Sequence, residues 1–209
     1  MLHVVFEDEA LIVVNKATGV LSQPGKTRDG SVESQVRHSR SDARGPLLVH
    51  RLDMDTSGLL LLGKTRDAHR KLQQQFEQRK VVKRYTALLT AKPASLGGII
   101  ELPLSKDWNN KPCQCVDFIN GKSAITGWRL AEDSCQSKKD APYHRVHLYP
   151  TTGRTHQLRV HMAQGLHCAI VGDRLYGTAA ERLMLHADRL SFNHPVTNAR
   201  TTLCVAESF

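Results

Sequence analysis

The sequence has no apolar run approaching the roughly 18 residues that a membrane-spanning helix needs. That excludes a helical membrane protein. Its start, Met1-Leu2-His3-Val4-Val5-Phe6-Glu7-Asp8, lacks the basic n-region and long apolar stretch of a secretory signal, so the chain is expected to stay in the cytoplasm. Internal repeats and low-complexity segments are missing. Cysteine is sparse: Cys113, Cys115, Cys135, Cys168 and Cys204 make an odd set with no C-x-x-C pair. A structural zinc site takes four close ligands, which this spacing does not offer; a site shared between Cys113, Cys115 and distant histidines is the weaker reading. Reduced thiols in a reducing compartment fit better. Acidic residues are also in deficit, 20 against 29 Lys and Arg, for a net charge of +9. That balance favours a polyanionic partner, most simply nucleic acid, over the bland alternative of solubility alone.

At 209 residues and 40% hydrophobic content, the chain affords one large domain or two small ones with a sizeable core. Strands are predicted at His3–Phe6 and Leu11–Val14, joined by the acidic turn Glu7-Asp8-Glu9. Ser31 caps a short helix to His38, and a polar stretch, Ser39 to Pro46, leads into Leu47-Leu48-Val49. Leu59-Leu60-Leu61-Leu62, bounded by Gly58 and Gly63, reads as a buried strand. Ala68, Leu72 and Phe76 recur every fourth residue, predicting a helix over 67–79 capped by Thr65 or Asp67. Further strands are predicted at 81–89, 99–102, 123–130, 145–149, 183–190 and 201–205, with a charged loop at 132–140 and a turn at Asn193-His194-Pro195. A helix over 155–164 is stopped by Gly165. Strands outnumber helices irregularly, which predicts an α+β fold with a mixed, mainly antiparallel sheet and flanking helices.

Four islands carry candidate chemistry. The first, His50-Arg51-Leu52-Asp53-Met54-Asp55-Thr56-Ser57-Gly58, is a loop that enters the core ahead of the tetraleucine strand. A carboxylate and a guanidinium held there cost several kcal/mol unless paired, which singles out Asp53 and Arg51. The second is Lys83-Arg84-Tyr85, opening a strand: Tyr85 is either core or, after two basic residues, a platform for a base. The third, Gly153 to His161, begins a helix whose free N–H groups would attract an anion, with Arg154, His156, Gln157 and Arg159 as donors. A phosphate, or a carboxylate such as Asp53, would suit it; a basic surface face is the alternative. The fourth is Arg182 to Ala187, where Leu183 and Leu185 most simply face the core.

Two further patterns are weighed. His156 and His161 are five apart, so they share a helical face poorly and do not read as metal ligands. Asp53-Met54-Asp55-Thr56 matches the D-x-D-x-T of aspartyl phosphotransferases that use magnesium. Those aspartates end an apolar strand, whereas here the apolar run follows them and Arg51 would repel a metal. A non-catalytic RNA-binding or ribosome-assembly factor is the other competing class; it would keep the charge and Tyr85 but have no need of Asp53.

In this order, the islands resemble the RluA family of RNA pseudouridine synthases, to whose dual-specificity RluA type the chain is most similar. The pattern H-R-L-D-x-x-T-S-G-L is matched from His50 to Leu59, K-R-Y at Lys83–Tyr85, G-R-T-H-Q-L-R-V-H from Gly153, and R-L-M-L-H-A from Arg182. Asp107-Trp108-Asn109-Asn110-Lys111-Pro112 and Gly121-Lys122-Ser123-Ala124 also look like the RluA type. Two turns depart from the pattern, Lys16-Ala17 where K-P is usual and Leu166-His167-Cys168 where G-H-P is usual. The resemblance implies the pseudouridine synthase fold, a basic central cleft, and one catalytic domain over 1–209 without a separate N-terminal RNA-binding domain. It also implies a monomer, no cofactor and no metal. The implied reaction is isomerisation of a uridine to pseudouridine in stem-loops of 23S rRNA, tRNA or both. Asp53 matches the catalytic aspartate, as nucleophile or as base; Arg154 matches the arginine that keeps it ionised, and Tyr85 the tyrosine that stacks on the target base. Arg51 matches the residue that fills the place of the flipped base. His50, Thr56, Lys83, Arg84, His156, Gln157, Arg159 and Leu185 are the remaining expected substrate contacts.

Overall fold

The computed structural model describes residues 2–25, 30–131 and 143–209. The charged loop expected at 132–140, with Cys135, lies outside the described residues. In chain order the elements are β1 (Val4–Glu7), β2 (Leu11–Lys16), α1 (Val32–Ser39), β3 (Leu47–Leu48), β4 (Ser57–Gly63), α2 (Arg66–Glu77), β5 (Val82–Leu89) and β6 (Gly97–Glu101). They continue with β7 (Leu104–Lys106), β8 (Gln114–Val116), β9 (Ile125–Leu130), β10 (His144–Pro150), α3 (Gln157–Val160), β11 (Leu185–Asn193) and β12 (Arg200–Cys204). A π-helical turn, His161–Gly165, follows α3 directly. The fold class is α+β, as expected. The chain falls into two compact units, one of residues up to Lys83 with His186–Ser208, the other of Arg84–Leu185 with Phe209.

In the first unit the strand order is β1-β2-β4-β11-β12, with β3 also against β4. The β4–β11 pair is parallel and the others are antiparallel. β4 is buried along its whole length and β2 nearly so. Burial on both faces explains why they read as continuous apolar runs rather than alternating ones. Gly58 is required where β4 meets β11: its φ is +111°, and a Cβ there would lie 2.3 Å from the Ala187 carbonyl oxygen. α2 seats Ala68, Leu72 and Phe76 on this core. Thr65 is its cap, accepting from Ala68 N–H at 3.2 Å, while Asp67 pairs with Arg70 and Lys71. Ser31 caps α1 by accepting from Ser34 N–H at 3.1 Å.

In the second unit the order is β5-β10-β9-β6, all antiparallel, with β7–β8 as a separate hairpin. Its core is built from Leu89, Trp128, Val146, Leu148, Met162 and Ile170 with their neighbours. The hairpin is not anticipated by the sequence, because Leu-Ser-Lys and Gln-Cys-Val are too short to show a period. The helix expected over 155–164 is a four-residue α3 followed by the π turn. His156 sits at φ +53°, which delays the helix start. His161, the buried first residue of the π turn, bonds Thr126 Oγ1 and the Leu102 carbonyl through its ring.

Candidate functional site

The Asp53 loop belongs to the first unit and connects β3 to β4. Asp53 opens a turn closed by Thr56 N–H donating to its carbonyl at 3.1 Å, and it is half-buried. The backbone on either side is tied down. Ser22 Oγ donates to the Leu52 carbonyl at 2.8 Å and accepts from Leu52 N–H at 3.1 Å. Thr18 Oγ1 donates to the Asp55 carbonyl at 2.7 Å. Lys16, only 2% exposed, donates from Nζ to the carbonyls of Ala17, Val20 and Met54 at 3.0, 2.7 and 2.8 Å. Asp53 is thus carried on a loop held by side chains from the β2 end onward, a preorganised placement for a reacting group. Arg51, beside it, is exposed.

Two of the expected substrate contacts in this loop, His50 and Thr56, have structural work. β4 is flanked by β11 near Ser57 and Gly58 and by β3 near Leu62 and Gly63. Between these ladders Leu61 N–H donates to His50 Nε2 at 3.0 Å, so the imidazole replaces a missing strand partner. The ring stacks on Phe76, centroids 4.6 Å apart. Burial and the nearby Lys83 charge push the His50 pKa down to about 3, so it is neutral. Thr56 is 2% exposed and serves the turn. Both support the loop that carries Asp53. Lys83 is half-buried, and burial lowers its amine to about 8.

The second unit holds the other expected site residues. Arg84 and Tyr85 are half-buried on β5, and Tyr85 packs at the margin of the core opposite Leu148 of β10. Arg154 is exposed, its Nε donating to the Ser123 carbonyl at 3.1 Å. Gln157 fixes the turn beneath it. Its Oε1 accepts from Thr152 Oγ1 at 2.7 Å and from Arg154 N–H at 3.0 Å, and its Nε2 donates to the Ile125 carbonyl and Thr126 Oγ1, both at 3.0 Å. All its hydrogen-bonding capacity is spent internally, which holds the turn in place. The helix start with free donors expected here is corrected: Arg154 N–H is taken by Gln157, and α3 is too short for a useful dipole.

Arg159 is held inside the second unit. It is 3% exposed and forms a bidentate pair with the fully buried Asp173, at 2.8 and 2.6 Å. Its guanidinium also lies 5.2 Å from the Tyr176 ring centroid. A buried, paired arginine gives no surface to a phosphate. His156 faces the same cluster: Tyr176 OH accepts from Gln114 N–H at 2.7 Å and shares a hydrogen bond with His156 Nδ1, also at 2.7 Å. Burial pushes the Tyr176 phenol up to about 12. Leu185 is 2% exposed and packs within the apolar core.

The first unit thus gathers His50, Arg51, Asp53, Thr56 and Lys83, and the second gathers Arg84, Tyr85, Arg154, His156, Gln157, Arg159 and Leu185. Sequence reasoning missed Lys16, Thr18, Ser22, Asp173 and Tyr176. Lys16 alone left a signal, as a lysine ending an apolar strand; the others are ordinary polar residues until the fold supplies their partners.

A protein-family model described as RNA pseudouridylate synthase matches residues 10–164. The chain is 38% identical to a dual-specificity RNA pseudouridine synthase RluA of Salmonella typhimurium, covering 100% of this chain and 94% of that protein. It is 42% identical to the Vibrio parahaemolyticus protein of the same name, covering 92% and 78%. Among solved structures, human RNA pseudouridylate synthase domain containing 1 superposes with a TM-score of 0.81 at 28% identity, over 100% of this chain and 84% of that one.

Proposed function

This chain belongs to the RNA pseudouridylate synthase family, and from that premise we propose that it isomerises a uridine to pseudouridine in stem-loops of both 23S rRNA and tRNA, in the tRNA within the anticodon arm. The observation that carries the reading is the 38% identity over the whole chain to a relative named for dual specificity. The bond from the base nitrogen to the sugar breaks, and the base rejoins through its ring carbon C5. Atoms and electrons balance within the substrate, so no cofactor is required.

Asp53 is the reactive carboxylate, acting as nucleophile or as the base that starts glycosidic cleavage. Its support is the loop held by Lys16, Thr18 and Ser22, which fixes the backbone that carries its carboxylate. Arg154 and Tyr85 carry the roles that the resemblance implies for them, Tyr85 stacking on the target base. The base must leave its stack, which costs a few kcal/mol and least in a loop. Arg51 takes its vacated place; its exposure and planar guanidinium suit that role. Lys83 and Arg84 contact the RNA backbone.

The test is to map pseudouridines in total RNA from cells with and without the gene, and in a transcribed anticodon stem-loop and 23S fragment treated with the purified chain. The reading predicts that one or more sites vanish without the gene and reappear in vitro with no added cofactor. An unchanged map together with inert transcripts contradicts it.

A further inference from the structure

Residues 104–122 form a small platform that the proposed chemistry leaves unused. β7 and β8 pair from Leu104↔Val116 to Lys106↔Gln114. Two turns adjoin this ladder and are built alike. In Asp107-Trp108-Asn109-Asn110 the first carboxylate accepts from the N–H groups of Asn109 and Asn110, both at 3.1 Å. In Asp117-Phe118-Ile119-Asn120 the first carboxylate accepts from those of Ile119 and Asn120, at 3.0 and 2.9 Å. Each turn places an aromatic residue directly after its aspartate and leaves it in water: Trp108 is 70% exposed and Phe118 76%.

Single exposed apolar residues are ordinary. Here the aromatic side chains are presented in pairs on matched turns, and the first is set among cations. The Lys106 and Lys111 amines lie 5.3 and 5.1 Å from the Trp108 ring centroid. The platform is anchored from beneath, by Gln114 N–H on Tyr176 OH at 2.7 Å, by Val116 N–H on Gln164 Oε1 at 3.3 Å, and by Leu104 packed with Ala124 and Val160. An exposed indole flanked by ammonium groups has the chemistry of a single-stranded nucleic-acid contact: the ring takes a base and the cations take phosphates. The +9 charge of the chain points the same way.

We propose that the β7–β8 hairpin is an additional RNA-contact surface, at which Trp108 stacks on an unpaired base of the substrate and Lys106 and Lys111 hold the adjoining phosphates. The inference rests on the chain acting on RNA. The test uses the full chain and a synthetic anticodon stem-loop. Trp128, the other tryptophan, is 5% exposed, so quenching of fluorescence by the stem-loop reports on Trp108. Quenching is expected in the wild type. Trp108→Ala should raise Kd and KM by about 5- to 150-fold, the range of one base–aromatic stack. Trp108→Phe should restore most of the loss, and the unfolding midpoint should not move. Lys106→Ala with Lys111→Ala should flatten the salt dependence of binding. Absent quenching, with a Kd for Trp108→Ala within twofold of wild type, overturns the inference. If the stem-loop and a 23S fragment both remain free of pseudouridine while quenching and the Trp108→Ala loss are seen, the functional reading fails and the contact surface stands. Normal turnover with an inert Trp108→Ala gives the converse.

Discussion

Lys16 is a long cationic side chain held at 2% exposure by the carbonyls of Ala17, Val20 and Met54. Replacing it with Met leaves those carbonyls without its donors and frees the backbone next to Asp53. The expected result is a fall in kcat of tenfold or more with Kd for RNA within a fewfold of wild type, because a misplaced reacting group costs rate rather than binding. Steady-state kinetics with direct binding separates the two; an unaltered kcat would contradict the brace. Lys83 gives a pH signature. Burial lowers its amine from the ordinary 10.5 to about 8, so between those values the folded chain binds fewer protons than the unfolded one. The cost of burying the charge is present below pH 8 and relieved from pH 8 to 10.5, so stability contributed by this site rises over that window. Discounted for its partial exposure, the gain relative to Lys83→Met is about 1–2 kcal/mol. RNA affinity moves the other way as the charge is lost. Chemical denaturation and RNA binding at pH 7.5 and 9.5 check both directions, and a Lys83→Met protein with the same pH trends as wild type counts against the assignment.

At the scale of elements, the stretch from Arg154 to Arg159 separates two arginines that the sequence makes look alike. Arg154 is exposed on a turn fixed by Gln157, whereas Arg159 is sealed against Asp173. Arg159→Ala leaves a buried carboxylate unpaired and should cost about 3–5 kcal/mol of stability. Arg154→Ala should stay within about 1 kcal/mol of wild type in stability and lose most turnover. Urea denaturation beside an activity assay distinguishes them, and equal stability of the two variants would contradict the buried pair. The central strands were legible because burial on both faces writes itself as apolar runs, and the caps Ser31 and Thr65 because their chemistry is local. Contacts between distant residues were not. Nothing in the sequence near Arg159 announces Asp173, 14 positions on, and nothing near His50 shows that its ring would bond Leu61 N–H in a gap between strands. A motif does not show which of its residues face inward.

At the scale of the molecule, charge and motif order implied an RNA-modifying enzyme, and the matches to RNA pseudouridine synthases place the chain in that family. Residue patterning could not have named the reaction, since a half-buried aspartate on a braced loop suits several chemistries. Among the described residues no helix is long and apolar enough to cross a membrane. The account depends most on Asp53. The direct measurement is single-turnover conversion of uridine in a synthetic anticodon stem-loop by Asp53→Asn, with RNA affinity measured in parallel. The account predicts no detectable pseudouridine and a Kd within about threefold of wild type, as expected when a reacting group is removed and the binding surface kept. Conversion within tenfold of the wild-type rate would contradict it.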